Sequence, residues 1–433
     1  MGISIKTVAM TVLTGMLMLL MWIYYAHYNQ VTQELLTSRG FPERNFSDLY
    51  PCWLGSRELL LHGRDPYSPE VTREIQQGYY GRPLDNRRPS DPIDEQRFAY
   101  PLFVVFLLAP TIGLPFGVVK ILFTIILLAA AAWTILFWGK AEGFRLGTNQ
   151  SLALILFSLA SIPFAQGIQL QQPSVFVAFL IAASLWALGR QRLFEAGLLL
   201  GFSTIKPQLA LPFVAWMLFW AVCGWRTRRG VVSGFVVTVA GLLAASELVL
   251  PRWPMEFAAG LGPYLRYTQA RSGLGALFGP TIGTLLTAFL AAITAWAALR
   301  ARSRPPDSDE FLTASVFVLT LTCVVIPSLA PHNEVLVLPA YLLLAKERRR
   351  LLRTGRLARS VFYAAIMVAI WPLMSGCLLV LARFLSGDAR LSQHWDLPLA
   401  TNPLIPIAAF AALVPLLGQR FSTRPENAVP KPT

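Results

Sequence analysis

Asp48 stands at the start of a predicted helix in the longest polar stretch of the chain. Ser47 is a suitable N-cap for this helix, and apolar or small side chains recur at helical spacing from Leu49 to Leu60. Gly63 and the following Asp65-Pro66 predict its end. A carboxylate in the first turn is kept ionised by the helix dipole, as a general base must be. Asp48 is therefore a candidate base, and the alternative is that it only caps the helix.

Lys206 interrupts an otherwise apolar hairpin, and Pro207 breaks the helix beside it. A charged side chain among apolar segments needs a structural partner or a function. The ammonium group of Lys206 could bind a phosphate, because lysine supplies a compact positive charge. The alternative is a lysine that extends to the lipid headgroups.

Two further polar breaks follow the same pattern. His332 and Asn333 come after Pro327 and Pro331, at the start of another apolar run. A histidine here can donate to a phosphate or a sugar hydroxyl, or it can be an ordinary interfacial residue. Gln172, within the stretch Gln169–Ser174, suits sugar hydroxyls because an amide both donates and accepts, although capping of a helix would also explain it.

Several reaction classes lack the motifs that they require. The four histidines form no HxxxH or HExxH pattern, which leaves zinc catalysis without a signal. Neither a GxxxxGK[ST] loop nor a GxGxxG motif occurs, and a GxSxG nucleophile motif is also missing. The four cysteines form no CxxC pair and are interpreted as buried thiols. No cofactor and no metal is expected.

The composition is that of a protein with many membrane spans. Hydrophobic residues make up 55% of the 433 residues, charged residues only 14%, and the mean hydropathy is +0.53. A soluble chain carries about 25% charged residues. The net charge of +14 comes mostly from short Lys/Arg clusters between apolar runs. These clusters indicate membrane topology rather than nucleic-acid binding.

The apolar runs predict an all-α bundle of about twelve transmembrane helices in one membrane domain, residues 1–433. The first run, from about Thr7 to His27, is an uncleaved anchor that enters from the cytoplasm. The other eleven runs are about Phe116 to Trp138, Leu152 to Gln166, Ser174 to Leu188, Leu193 to Ile205, Leu209 to Trp225, Val231 to Leu250, Ile282 to Leu299, Phe311 to Pro327, Val335 to Leu344, Val361 to Phe384 and Leu404 to Leu417.

This order of spans places five basic clusters on the cytoplasmic side, as the positive-inside rule requires. Residues 420–433 are then a cytoplasmic tail, and residues 29–98 form a loop on the outer face, with surface helices that cap the membrane domain. The segment 99–114 is too short to span and is expected to be short or re-entrant. The polar breaks at Gln172, Lys206 and His332 then lie on the outer face beneath the cap.

The order of several short motifs resembles the family 87 glycosyltransferases, membrane enzymes of the GT-C class. Asp48-Leu49-Tyr50 and the later Gly63-Arg64-Asp65-Pro66-Tyr67 are similar to the family's D-x-x-Y and G-x-x-P-Y. Tyr100-Pro101, Gln172-Pro173-Ser174, Lys206-Pro207 and His332-Asn333 follow in the family's order. The resemblance covers about Asp48 to Leu344, and the insert from Tyr79 to Arg97 is longer than usual for it.

This resemblance implies an inverting enzyme of the bacterial inner membrane with its active site on the periplasmic face. The donor would be a polyprenyl-phosphate sugar, most simply mannose, and the acceptor a lipid or a glycan. Asp48 would be the general base, and Lys206 and His332 would bind the donor phosphate. The residues expected to bind the sugar or the acceptor are Tyr50, Arg64, Tyr67, Tyr100, Gln172 and Asn333.

Alternatives remain for several of these residues and for the function itself. Arg64 and Asp65 can be a surface ion pair that holds a turn, and the tyrosines can be interfacial aromatic residues. A lipid-linked-sugar flippase would also have many spans, but it typically has repeated halves and ionisable residues near the membrane midplane. A lipid-linked oligosaccharide ligase shares the outer-face site and stays open as a third possibility.

Overall fold

The computed structural model describes most of the chain as one helical assembly. The described residues are 5–41, 47–85, 88–89, 91–92, 94–267, 272–326, 330–386 and 394–421. The predicted tail 420–433 therefore falls outside the described residues from 422 onward. Within the described part all regular structure is helical and no strand occurs.

Seventeen α-helices are present in the described ranges. They are α1 (Ile5–Ser38), α2 (Leu49–His62), α3 (Pro69–Tyr80), α4 (Val104–Leu108), α5 (Phe116–Ala141), α6 (Thr148–Ala160), α7 (Ile162–Gln169), α8 (Pro173–Gly189), α9 (Leu193–Phe202), α10 (Pro207–Cys223), α11 (Trp225–Val249), α12 (Trp253–Tyr267), α13 (Gly273–Ala301), α14 (Asp309–Val325), α15 (Leu338–Thr354), α16 (Arg356–Ser386) and α17 (Ile405–Arg420).

Six helical segments in the described residues are long and apolar enough to cross a membrane: Ile5–Ser38, Phe116–Ala141, Trp225–Val249, Gly273–Ala301, Arg356–Leu385 and Leu397–Arg420. Helices α6 and α7 add a seventh if the pair counts as one span, although it bends by 75°. The chain is thus an integral membrane protein of helical class.

The structure does not support the predicted count of about twelve spans. The apolar runs do form helices, but proline and polar residues divide several of them into shorter pieces. Helices α8, α10 and α14 have 17 residues each, and α9 has only ten. Length and composition alone therefore support six or seven spans.

Helices α2 and α3 pack over one end of the bundle. The apolar face of α2 buries Leu49, Cys52 and Trp53 in a cluster with Leu108 and Val119 of the membrane domain. The segment from Tyr100 to Ile112 contains only the five-residue α4 and a short 3₁₀ turn.

The ends of α2 agree with the prediction to within one residue. Asp48, and not Ser47, is the N-cap, and its side chain makes no capping hydrogen bond. Gly63 ends the helix in the left-handed region at φ 65°, where a residue without Cβ is favoured. The Asp48 carboxylate instead accepts a hydrogen bond from Gln172.

The polar breaks predicted from the sequence coincide with breaks in the helices. Gln171, at φ 50°, turns the chain between α7 and α8. Lys206 separates a short 3₁₀ turn from α10, and a second 3₁₀ turn, Pro331–Val337, precedes α15. The three breaks bring their side chains to the same end of the bundle, under the cap.

Candidate active site

A cavity of about 180 Å³ lies between the cap and the three helix breaks. Six of the nine residues predicted to form the site line this cavity. They are Asp48, Tyr100, Gln172, Lys206, His332 and Asn333.

A chain of side-chain hydrogen bonds joins Asp48 to Lys206. Gln172 Nε2 donates to Asp48 Oδ2, and Lys206 Nζ donates to Gln172 Oε1 at 3.0 Å. The amide of Gln172 thus connects the carboxylate to the ammonium group without direct contact between the charges. Since the amide can donate only through its nitrogen, Lys206 fixes which end of Gln172 faces Asp48.

The ammonium group of Lys206 uses all of its donors on protein atoms. Besides Gln172, it donates to Ser174 Oγ at 2.9 Å and to Asn333 Oδ1 at 3.0 Å. An ammonium group has three N–H bonds, so these three acceptors complete its hydrogen bonding. The side chain is buried, with 4% of its surface exposed. The three hydrogen bonds offset the free energy that is lost when the ammonium group leaves water.

Local backbone structure positions these side chains. The backbone N–H of Asp48 donates to Leu170 O at 3.0 Å, which attaches the start of α2 to the loop between α7 and α8. Gln172 is the N-cap of α8, and Pro173 at the first helical position fixes the backbone that follows. The cap and the membrane domain therefore meet at the Asp48–Gln172 contact.

His332 and Asn333 enter the cavity from the 3₁₀ turn before α15. The backbone N–H of His332 donates to Gln166 Oε1 at 3.0 Å, whereas its side-chain Nδ1 is buried without a hydrogen-bond partner among the described residues. Asn333 Oδ1 accepts from Lys206 and also from Ser174 Oγ at 3.2 Å. Asn333 thus holds Lys206 in place, and the His332 ring keeps an unused nitrogen beside the cavity.

The structure does not place Tyr50, Arg64 and Tyr67 along this cavity. The Tyr50 hydroxyl lies against Gly78 of α3. The contact is so close that a Cβ atom at position 78 would stand only 1.8 Å from the hydroxyl oxygen. Tyr67 does not line the cavity itself. Its hydroxyl donates to the backbone oxygen of Tyr100, a residue that does, at 2.7 Å. Both tyrosines therefore help to shape the cap around the cavity.

Arg64 has a different partner from the one predicted. Its guanidinium group pairs with Glu74 of α3 at 2.6 Å and with Glu58 of α2 at 2.9 Å, whereas Asp65 accepts from the Tyr67 backbone N–H. The expected Arg64–Asp65 pair is therefore wrong, because two glutamates on neighbouring helices offer the guanidinium better acceptors. Arg64 ties α2 to α3.

The sequence prediction missed the segment Asp94–Arg97, which forms another wall of the cavity. Asp94, Gln96 and Arg97 line it together with Ala99. The only signal in the sequence was their position, because this run of charged and amide residues comes just before Tyr100-Pro101.

The arrangement combines two carboxylates, two cations and neutral hydrogen-bonding groups in one small space. Such a set can remove a proton from a hydroxyl and stabilise negative charge that develops nearby. Among the described residues there is no cluster of three or more His, Cys, Asp or Glu side chains that could hold a metal ion.

The model of glycosyltransferase family 87 matches residues 98–327, which is more than half of the chain. No match was found among curated proteins or among solved structures. The matched region contains Tyr100, Gln172 and Lys206, whereas Asp48 lies before it and His332 shortly after it. The chain belongs to glycosyltransferase family 87, and it is a membrane-embedded glycosyltransferase.

Proposed function

We propose that this glycosyltransferase moves a sugar, mannose in the simplest case, from a polyprenyl-phosphate carrier to a lipid or glycan acceptor, with inversion at the anomeric carbon. The observation that carries the proposal is the half-buried carboxylate of Asp48, which lines the cavity and is oriented by Gln172 and Lys206. A carboxylate that is held in one orientation and balanced by a nearby cation is suited to act as a base.

In the proposed reaction the acceptor hydroxyl gives its proton to Asp48 while the hydroxyl oxygen bonds to the anomeric carbon. The bond from that carbon to the phosphate oxygen breaks at the same time, and polyprenyl phosphate leaves with the electron pair. Negative charge on the phosphate increases during this step and needs cations or donors nearby. Lys206 contributes positive charge through space, and the neutral His332 ring contributes a hydrogen bond in the tautomer that carries its proton on the unused nitrogen.

A second cavity supports a donor with a lipid chain. This cleft of about 340 Å³ is lined almost entirely by apolar side chains, among them Phe157, Leu338 and Ile370. The turn before α15 separates it from the active-site cavity, because His332 and Asn333 line one space and Glu334 lines the other. A donor with its phosphate beside His332 and its chain in the apolar cleft would use both.

The distribution of charge supports an active site on the outer face of the membrane. Arg228 donates to the backbone oxygens of Arg302 and Arg304, and Lys346 pairs with Asp309, so several basic clusters meet at one end of the bundle. That end is cytoplasmic by the positive-inside rule. The cavity under the cap, at the other end, would then open to the periplasm of a bacterial inner membrane.

The proposal includes the GT-C-like architecture. Helices α8, α10 and α14 have 17 residues each, the lower limit of what a span requires. With them the bundle would approach the expected number of spans, and residues 29–98 would be the outer cap over a single membrane domain.

The decisive variant for this proposal is Asp48→Asn, which keeps the shape of the side chain and the contact to Gln172 but removes the base. We expect transfer from a radiolabelled polyprenyl-phosphate sugar to fall about 10²- to 10⁴-fold, the usual contribution of a general base. The variant should insert into membranes and keep the thermal stability of the wild-type protein. Transfer at the wild-type rate would rule out Asp48 as the base.

A further inference from the structure

Arg97 is the second cation that lines the active-site cavity, and its guanidinium group has spare donors. It carries five N–H bonds, of which the described contacts use one, from Nη2 to Glu95. Its Nε is buried and has no hydrogen-bond partner among the described residues. Arg97 can therefore bind an anion without giving up its ion pair.

Lys206 differs from Arg97 in this respect. All three of its N–H bonds already reach Gln172, Ser174 and Asn333. A direct contact from Lys206 to a phosphate would break one of these bonds inside a buried network, and the acceptor left behind would lose its partner. Lys206 therefore acts on a bound anion by its charge, and a direct contact has to come from another group.

The backbone around Arg97 is held in place before any ligand arrives. Gln76 Nε2 donates to Glu95 O at 2.8 Å, and the Tyr80 hydroxyl donates to Asp94 O at 2.7 Å. Gln96 occupies the left-handed region at φ 44°, a conformation that needs such external support in a residue other than glycine. Helix α3 thus holds the backbone just before Arg97.

From these observations we propose that Arg97 binds the phosphate group of the polyprenyl-phosphate donor directly. The inference builds on the proposed function and assigns the phosphate contact to the cap. A planar guanidinium can hold two phosphate oxygens at once, a geometry that an ammonium group lacks. The contact also offsets repulsion between the phosphate and the carboxylates of Asp48 and Asp94, which line the same cavity.

The test measures binding of a C55 polyprenyl phosphate to the purified full-length protein in detergent micelles, because this reaction product is the same for every sugar and acceptor. Polyprenol of the same length isolates the contribution of the chain, and inorganic phosphate isolates that of the head group. We expect Arg97→Ala to weaken polyprenyl-phosphate binding at least tenfold and to leave polyprenol binding unchanged. Arg97→Lys should regain part of the loss, because the charge remains and the two-point contact does not.

Arg73 provides the matched control. It is an arginine of the same cap that pairs with Glu70 on its own helix, and its side chain is largely exposed. Arg73→Ala should bind polyprenyl phosphate as the wild type does. The thermal stability of each variant is measured in parallel, so that loss of folding is separated from loss of binding.

The possible outcomes separate this inference from the proposed function. Wild-type binding of polyprenyl phosphate that persists in Arg97→Ala would overturn the inference and leave the donor class intact. The same conclusion would follow if Lys206→Met, and not Arg97→Ala, lost the head-group contribution. A wild-type protein that binds polyprenyl phosphate no better than polyprenol would overturn the proposed donor and the role of Arg97 together.

Discussion

Two networks of charged side chains lie at opposite ends of the helix bundle, and they differ in how the opposite charges meet. Under the cap, the neutral amide of Gln172 separates the carboxylate of Asp48 from the ammonium group of Lys206. At the other end, Arg420 Nη2 contacts Glu347 Oε1 directly at 2.7 Å. The first network faces a cavity, whereas the second joins helices.

The network at the far end connects four parts of the chain. Arg420, at the end of α17, also donates to Thr313 Oγ1 of α14 at 2.7 Å, and only 4% of its side chain is exposed. Lys346 of α15 pairs with Asp309 at 3.3 Å and with Glu142, just after α5, at 3.6 Å. Each charge there has an opposite charge as its neighbour, which suits a structural role.

The comparison supports the proposed role of Asp48, whose carboxylate is half-buried. A direct ion pair with a lysine would use the charge of Asp48 and compete with the incoming hydroxyl. Lys206 orients the amide of Gln172, and this amide in turn orients the carboxylate of Asp48. The two charged groups themselves stay apart. The separation therefore preserves both the charge of Asp48 and its access to the cavity.

The largest expected effect comes from Lys206→Met, which removes the cation and keeps most of the volume. Gln172 would lose the bond that fixes its orientation, and Asp48 would lose the nearby positive charge that favours its ionised form. We expect transfer activity to fall by about 10²- to 10⁴-fold, the range for loss of a general base. Transfer of a radiolabelled sugar from polyprenyl phosphate by the purified variant measures the effect.

A double variant tells whether the loss arises from charge. Lys206→Met with Asp48→Asn removes both charges, so it should fold more stably than Lys206→Met alone while it remains inactive. If Lys206 and Asp48 were not linked, the losses of stability from the two substitutions would add, because residues without shared partners do not couple. Additive losses would contradict the proposed link through Gln172.

The parts of the site that the sequence predicted are those where polar residues stand against an apolar background. Gln172, Lys206 and His332 each interrupt an apolar run, and a buried polar group there needs partners. Arg97 was missed because the cap contains many charged residues, so one more arginine does not stand out against its surroundings. The pairing of Arg64 with Glu74 was not predicted because Glu74 lies ten residues away on α3, a distance that local spacing does not reveal.

The fold shows the same limit. Apolar runs identified the helices, but they did not reveal how breaks divide them. The run from Leu152 to Gln166 bends by 75° between α6 and α7, and the run that begins at Val335 starts as a 3₁₀ turn. Pro163 and Pro331 mark where the two breaks begin, because proline interrupts a helix. The local sequence gives neither the angle of the bend nor the 3₁₀ geometry.

A smaller effect, on stability rather than activity, is expected from Arg420→Met. The change leaves Glu347, whose side chain is 14% exposed, without its closest partner. Removal of one member of a fully buried ion pair costs about 3–5 kcal/mol, which is the upper limit for this partly exposed pair. The thermal midpoint in detergent should fall, while transfer per folded molecule stays near the wild-type value. Thermal unfolding followed by tryptophan fluorescence, with activity assayed below the midpoint, measures both quantities.

The partner variant checks the cause of that loss. Glu347→Gln added to Arg420→Met removes the uncompensated charge and should restore part of the stability. A loss of activity at full stability would instead show that the far-end network acts on the site, and it would remove the distinction between the two networks.

The smallest expected effect is a pH dependence confined to the cap. Arg82 donates to both oxygens of Asp91, at 2.7 and 3.0 Å, and this pair lowers the pKa of the Asp91 carboxyl from its ordinary value of 3.8. Because the folded-state pKa is the lower one, the pair stabilises the cap above about pH 3.8 and loses this contribution as the pH falls through the folded value. Hydrogen exchange of peptides that contain Asp85, whose amide also donates to Asp91, should accelerate on acidification after correction for intrinsic rates. Asp91→Asn should exchange faster at neutral pH and lose this acid-dependent step, and an unchanged step in that variant would assign it to another carboxylate of the cap.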